Sequence, residues 1–154
     1  MAILLGGLAM LGPLSIDIFL PVVPAMAKEL GIGIGEIELT LTSIFAGGAI
    51  GQILYGPLSD RFGRKPVILV ALLLFTLSTL AVANSNTIGP IILWRFVQGL
   101  LMASGRIIAN AAARDQYENE TLGKLLSLIF FVSTSASIIN PMLGGIIIAN
   151  FYWQ

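Results

Sequence analysis

The chain has 154 residues, 56% of them hydrophobic and 10% charged, with eight basic and eight acidic side chains and a mean hydropathy of +0.95. Water-soluble domains carry about a quarter charged residues, so most of this surface is expected to face a lipid bilayer. Zero net charge speaks against nucleic-acid binding. The absence of His and Cys removes the usual general base, the commonest metal ligand and any disulfide, thiolate-zinc or iron–sulfur site. An enzyme, a metal centre and a resident cofactor are therefore not expected.

A spanning helix needs about 20 mostly apolar residues, which allows about five or six spans and no sizeable soluble domain. The pattern predicts an all-α membrane protein with five spans, at about Ala2 to Ala25, Ile37 to Leu58, Pro66 to Ala83, Gly89 to Ala113 and Leu122 to Asn150. Ala25-Met26-Ala27 resembles a signal-peptidase site, but no Lys or Arg precedes the apolar run, and Pro13 and Asp17 interrupt it. The segment is read as a retained first helix. Pro66 and Pro90 suit first-turn positions, where a missing N–H costs nothing.

Arg61, Arg64 and Lys65 face a single acid, Asp60, in the link after span two, whereas Lys28 stands against Glu29, Glu36 and Glu38 around the link after span one. Basic links stay in the cytoplasm, so the N-terminus and the links after spans two and four are expected there. The Phe151-Tyr152-Trp153 cluster then fits the opposite interfacial belt.

Four segments carry chemistry. In span one Asp17 is a carboxyl inside an apolar run, a costly placement that normally marks a bundle interior or a wet cavity. In span four Arg95, Gln98, Gly99, Met102, Arg106 and Asn110 recur at helical spacing, with Arg95 and Arg106 three turns and roughly 16 Å apart on one line. With span one running outward and span four inward, Asp17 and Arg95 fall in the same half of the bilayer, within reach of each other. The link Gly56-Pro57-Leu58-Ser59-Asp60-Arg61-Phe62-Gly63-Arg64-Lys65-Pro66 holds two glycines and two prolines, which predicts a tight, rigid turn, with Asp60 able to cap or face a helix N-terminus. Asn140-Pro141-Met142-Leu143-Gly144-Gly145 in span five combines a helix-bending proline with small residues that permit close packing. Gly47, Gly48 and Gly51 read as helix-packing positions.

The link after span two resembles the G-x-L-x-D-R-x-G-R-K signature of the major facilitator superfamily, with Gly56, Leu58, Asp60, Arg61, Gly63, Arg64 and Lys65 matching between the second and third helices. The resemblance implies twelve helices in two six-helix halves that rock around a central cavity. It also implies a conformational latch in which these residues pair with the ends of helices four and eleven. Arg114-Asp115 stands where the helix-four partner belongs, and helix eleven is absent.

Arg95, Gln98 and Gly99 also match that family's R-x-x-Q-G motif, whose Arg is implied to act in proton coupling; Arg106 lies outside it. Span one resembles the L-G-x-x-x-x-x-x-x-P-x-x-P pattern of drug/proton antiporters, and Asp17 with Phe19, Leu20 and Pro21 looks like the Bcr/CflA group. Pro141, Gly144 and Gly145 match the antiporter motif G-P-x-x-G-G, in which Asn140 replaces the first Gly, while Ala136 stands where another Gly is often found.

Taken together, the resemblance implies a multi-pass inner-membrane exporter of small amphipathic or cationic compounds, driven by protons. It also implies that this chain holds five helices of a longer bundle, needs the missing C-terminal helices as partners, and does not transport alone. Two other readings compete: a proton-driven uptake symporter, and a structural or assembly membrane protein in which Asp17 and Arg95 tolerate neutral substitution.

Overall fold

The computed structural model describes residues 2–150, with side chains described over 4–146. The described elements are helices, joined by one 3-10 turn: α1 (Ala2–Ala9), α2 (Leu11–Asp17), the turn Leu20–Val22, α3 (Val23–Leu30), α4 (Ile34–Phe62), α5 (Arg64–Ala83), α6 (Ile88–Gln116) and α7 (Asn119–Asn150). Among the described residues five stretches are long and apolar enough to cross a bilayer: Leu4–Leu30, Ile34–Phe62, Arg64–Ala83, Ile88–Gln116 and Asn119–Ile146. The aromatic cluster expected at an interface lies outside the described residues.

The first span, expected as one helix, is α1, α2, the 3-10 turn and α3 in succession. Proline chemistry accounts for the break. Pro21 has no N–H for the Asp17 carbonyl, and Pro24 has none for that of Leu20. The chain tightens there instead, with Phe19 N–H bonded to Ile16 at 3.2 Å and Val22 N–H to Phe19 at 2.9 Å. Gly31, at φ +66°, closes α3, and the Ile32 N–H reaches back to the Ala27 carbonyl at 3.1 Å.

The link between α4 and α5 also departs from expectation. Gly56 and Pro57 sit inside α4, Pro66 sits in the first turn of α5, and a single residue, Gly63, makes the turn. An interior proline costs a helix one backbone bond without ending it when neighbouring structure holds the helix together. Gly63 has φ +84° and ψ 151°, a region essentially closed to residues with a Cβ. Asp60 does not cap α5, whose N-terminus has no side-chain cap; it occupies the exposed last turn of α4.

Helix α6 is the hub. It packs most extensively on α4, then on α5, and also meets α1, α2 and α7. Bilayer helices gain nothing from hiding apolar surface from one another, so close backbone approach supplies the packing energy. Gly47 and Gly51 of α4 lie directly against the backbone of α6 at Phe96 and Leu100, and Gly99 of α6 lies against the Ile44 carbonyl. A Cβ at any of these would overlap backbone atoms. Two apolar clusters flank this contact, one around Met26, Ile37 and Ile91 and the other around Tyr55, Ala71 and Leu101. Outside it, Leu69, Leu73, Leu77 and Leu80 of α5 and Phe130, Phe131 and Ile138 of α7 are exposed, the inverse of a water-soluble helix pattern.

Gly47→Ala is expected to force α4 and α6 apart and destabilise the bundle by about 1–3 kcal/mol, the cost of overpacking a tight core. Thermal unfolding in detergent, compared with Ala49→Gly on the exposed face of α4, measures it.

Candidate functional site

Arg95 lies about two turns into α6 and is only 8% exposed. Its guanidinium donates from Nη1 to the Ser15 carbonyl at 3.2 Å and stacks on the Phe19 ring, with Cζ 3.7 Å from the ring centre. Both partners come from the broken part of the first span. The contact joins a hydrogen bond to a cation–π interaction, which is strongest when water is excluded. Arg95 Nε is buried with no partner, an unusual cost for a cation and one that marks the site as polar business left open.

One turn on, Gln98 donates from Nε2 to Thr79 Oγ1 of α5 at 2.9 Å, while its Oε1 is buried and unpartnered. Arg95 and Gln98 together line a cavity of about 320 Å³ between the first span, α5 and α6, whose apolar lining includes Leu14, Phe19, Phe75 and Val82. The third motif residue, Gly99, lies on the α4 side and lets the helices touch. The R-x-x-Q-G spacing thus presents two polar side chains to a cavity and one bare backbone to a neighbour.

Asp17 does not line this cavity. No ion pair joins it to Arg95 among the described residues, and its Oδ2 is buried without a hydrogen-bond partner. Arg95 instead grips the backbone two residues before Asp17, so the two side chains, expected within reach of each other, are not paired directly in this conformation. Arg106 is separate as well. It is exposed, and with Asn110, Arg114, Ser127 and Ser133 it borders a second cavity of about 480 Å³ between α6 and α7. The helical line from Arg95 to Arg106 therefore passes from a buried side chain to an exposed one.

At the other end of the bundle Arg64 Nε meets Asp115 Oδ2 at 2.6 Å, joining the start of α5 to the end of α6. Gly63 positions this pair, because its unusual φ lets α5 begin immediately after α4 stops. Arg64 Nη1 is buried and unpartnered. Arg61 lies over the Phe62 ring at 5.2 Å, and Asp60, Arg61 and Lys65 are exposed. In α7, Gly144 lies against the Ile18 carbonyl and Pro21 of the first span, whereas Gly145 has open space where its Cβ would be. Of the two motif glycines only Gly144 is a contact point; Pro141 sits within the helix without ending it.

Three participants carry roles that sequence reasoning did not assign. Ser15 and Phe19 hold Arg95, and Thr79 holds Gln98. Phe19 carries the only one of these signals readable in advance, an aromatic side chain two residues after an intramembrane acid; Ser15 acts through its carbonyl, which every residue has.

The arrangement defines a helical membrane bundle with a buried cation on a cavity wall, and comparison with known proteins assigns its class. The Major Facilitator Superfamily profile matches residues 5–154, and the chain belongs to that family of membrane transporters. It is 39% identical over 148 residues to an uncharacterized MFS-type transporter, YdgK, of Bacillus subtilis, which covers 96% of this chain and 37% of that protein. A bicyclomycin resistance protein homolog of Haemophilus influenzae is 37% identical over 150 residues, 97% of this chain and 38% of that protein. The multidrug resistance protein MdtL of Klebsiella pneumoniae is 31% identical over 147 residues, 96% of this chain and 38% of that protein. The chain thus spans less than two fifths of the length of these relatives.

Because Asp115 is more than half exposed and Arg64 about a quarter, their pair is expected to contribute little to stability. A double-mutant cycle of Arg64→Gln and Asp115→Asn, read by thermal unfolding, should give a coupling of about 0.2–1 kcal/mol. A much larger value would mean that the pair holds the bundle together and does not serve as a releasable contact.

Proposed function

We propose that this chain forms the N-terminal bundle of a drug/proton antiporter of the inner membrane, which exports small amphipathic, often cationic compounds. Its N-terminus and the Gly63 turn lie on the cytoplasmic side. The observation that carries this reading is Arg95, a buried cation on a cavity wall whose Nε has no partner. Uncompensated charge inside a bilayer is expensive and is retained where charge is handled as part of a cycle. The resistance names of two relatives, a bicyclomycin resistance protein homolog and a multidrug resistance protein, support export over uptake.

In this mechanism Asp17 is the carboxyl that takes and releases the proton or meets a cationic substrate. Arg95 acts on it indirectly. It holds the first span by the Ser15 carbonyl and the Phe19 ring, the two residues that bracket Asp17 at a distance of two on either side. Any motion of the span that alters this grip also moves the carboxyl. Gln98, fixed to α5 through Thr79, lines the same cavity, and its buried oxygen is left for a donor that enters in another state. At the cytoplasmic end Gly56, Asp60, Arg61, Gly63, Arg64, Lys65 and Asp115 form the latch. The Arg64–Asp115 contact joins the half-bundle's own helices, and the exposed Asp60, Arg61 and Lys65 are free to meet the C-terminal helices. A solvent-accessible pair that forms and breaks at small cost suits an equilibrium between two states.

Asp17→Asn in the full-length transporter is expected to abolish proton-gradient-driven accumulation of a cationic dye in inverted vesicles. Full proton-coupled activity in that variant would remove Asp17 from the mechanism. Residues 1–154 reconstituted alone are expected to show no flux.

A further inference from the structure

Two buried polar atoms stand without partners where the first span meets α7: Asp17 Oδ2, an acceptor, and Asn140 Nδ2, a donor. Asn140 is 2% exposed, so water does not satisfy its amide. Burying an unpaired amide in an apolar helix contact costs free energy that a small residue would avoid.

The packing register brings the two groups to one level. Gly6 lies against Val132, and Ile18 lies against Gly144, pairs that are each separated by 126 residues. The first span and α7 therefore run parallel in constant register, which sets Asp17 beside position 143. Asn140 is three residues lower, about 4.5 Å along the axis, a distance that two side chains bridge.

The faces agree as well. Hydrogen bonds from Met10 to Gly6 at 3.1 Å, Leu14 to Met10 at 2.9 Å and Ile18 to Leu14 at 3.4 Å carry the helical register across the break at Met10. Asp17 follows Gly6 by eleven residues, three turns, and so lies on the line that faces α7. Pro21, one turn further on, touches the Gly144 position. On α7 the buried residues Ala136, Asn140 and Gly144 recur every four residues and form the stripe that meets the first span.

The opposite face of α2 is the one that Arg95 grips through Ser15. Asp17 thus sits between a cation on one side of its helix and an amide on the other. The charged groups on the helices packed against α2 are Arg95, Arg106, Arg114 and Asp115 of α6 and, at the far end of α7, the paired Glu120 and Lys124. Asn140 is the polar side chain buried in the α7 stripe beside the carboxyl.

We infer that Asn140 is a positioning residue for Asp17. Its amide donates to the Asp17 carboxylate in another conformation of the transport cycle, and in the present one the two groups stand apart. Closing them takes only a small shift of the first span along α7. Pro141 and the Pro21 break loosen the backbone on the two sides of this contact. The inference rests on Asp17 as the proton-binding group.

The test uses the full-length transporter in inverted vesicles. Asn140→Gly removes the amide while placing at 140 the residue of the G-P-x-x-G-G pattern, and Asn140→Ala replaces it if the glycine variant fails to accumulate. Proton-driven exchange should fall about tenfold, the value of one hydrogen bond to a charged group, and its pH profile should be displaced from that of the unaltered protein. An unchanged rate overturns the inference. So does a lower rate with an unchanged pH profile, which a packing defect alone would produce. Asp17→Asn run in parallel separates the two levels. If it is inactive while Asn140→Gly is normal, only the role of Asn140 fails; if it retains full proton coupling, the reading of Asp17 itself fails.

Discussion

A bilayer offers no hydrophobic reward for bringing helices together, and the architecture of this bundle follows from how it meets that constraint. Where water would drive apolar faces into contact, here bare backbone has to fit against bare backbone. The α4–α6 contact does this at Gly47, Gly51 and Gly99, and the contact of the first span with α7 does it at Gly144. These close approaches set the rotation of α6, and the rotation of α6 determines where Arg95 points. With larger residues at the glycine positions the helix would stand off, and the guanidinium would lose the Ser15 carbonyl and the Phe19 ring.

The broken first span is the second consequence of the same solvent. In hydrocarbon a backbone carbonyl without a donor is expensive, yet Pro21 and Pro24 withhold two donors within one turn. Part of the deficit is met by 3-10 bonding, and the neighbouring Ser15 carbonyl receives Arg95. The irregular segment and the buried cation thus answer each other: one supplies a carbonyl and an aromatic face, the other a charge that needs both. Irregular backbone at membrane depth is tolerated where it borders a cavity, and the first span does border one.

Among the described residues, buried polar atoms without partners are concentrated in the segments that the sequence singled out. Asp17, Arg64, Arg95, Gln98 and Asn140 each hold a buried atom without a partner, and each lies in one of the four segments singled out by sequence. A bundle selected for rigidity alone would have paired or removed them. A bundle with two states leaves in each state some groups whose partners belong to the other.

Much of this was legible without coordinates. Five apolar runs imply five helices because length and polarity alone decide what can cross hydrocarbon. Arg95 stood out because a charge in such a run demands an explanation. The Gly63–Arg64 corner was visible because only glycine accepts its backbone geometry, although the actual turn is shorter than two glycines and two prolines suggested. The sequence also identified Asp17 and Arg95 as the unusual pair of charges.

Which partner each charge takes was decided only by tertiary structure. Helical spacing places residues on faces, but the rotation of one helix against another depends on packing across interfaces far apart in the chain. For that reason Arg95 binds a carbonyl and a ring in place of the Asp17 carboxylate. Arg106, collinear with Arg95 in sequence, opens onto a different cavity. Asn140, which reads in the sequence as a departure from a glycine pattern, proves to be a buried side chain of α7 whose amide nitrogen has no partner. The sequence by itself determined the spans, the corner and the costly charges; the helix contacts determined what those charges face.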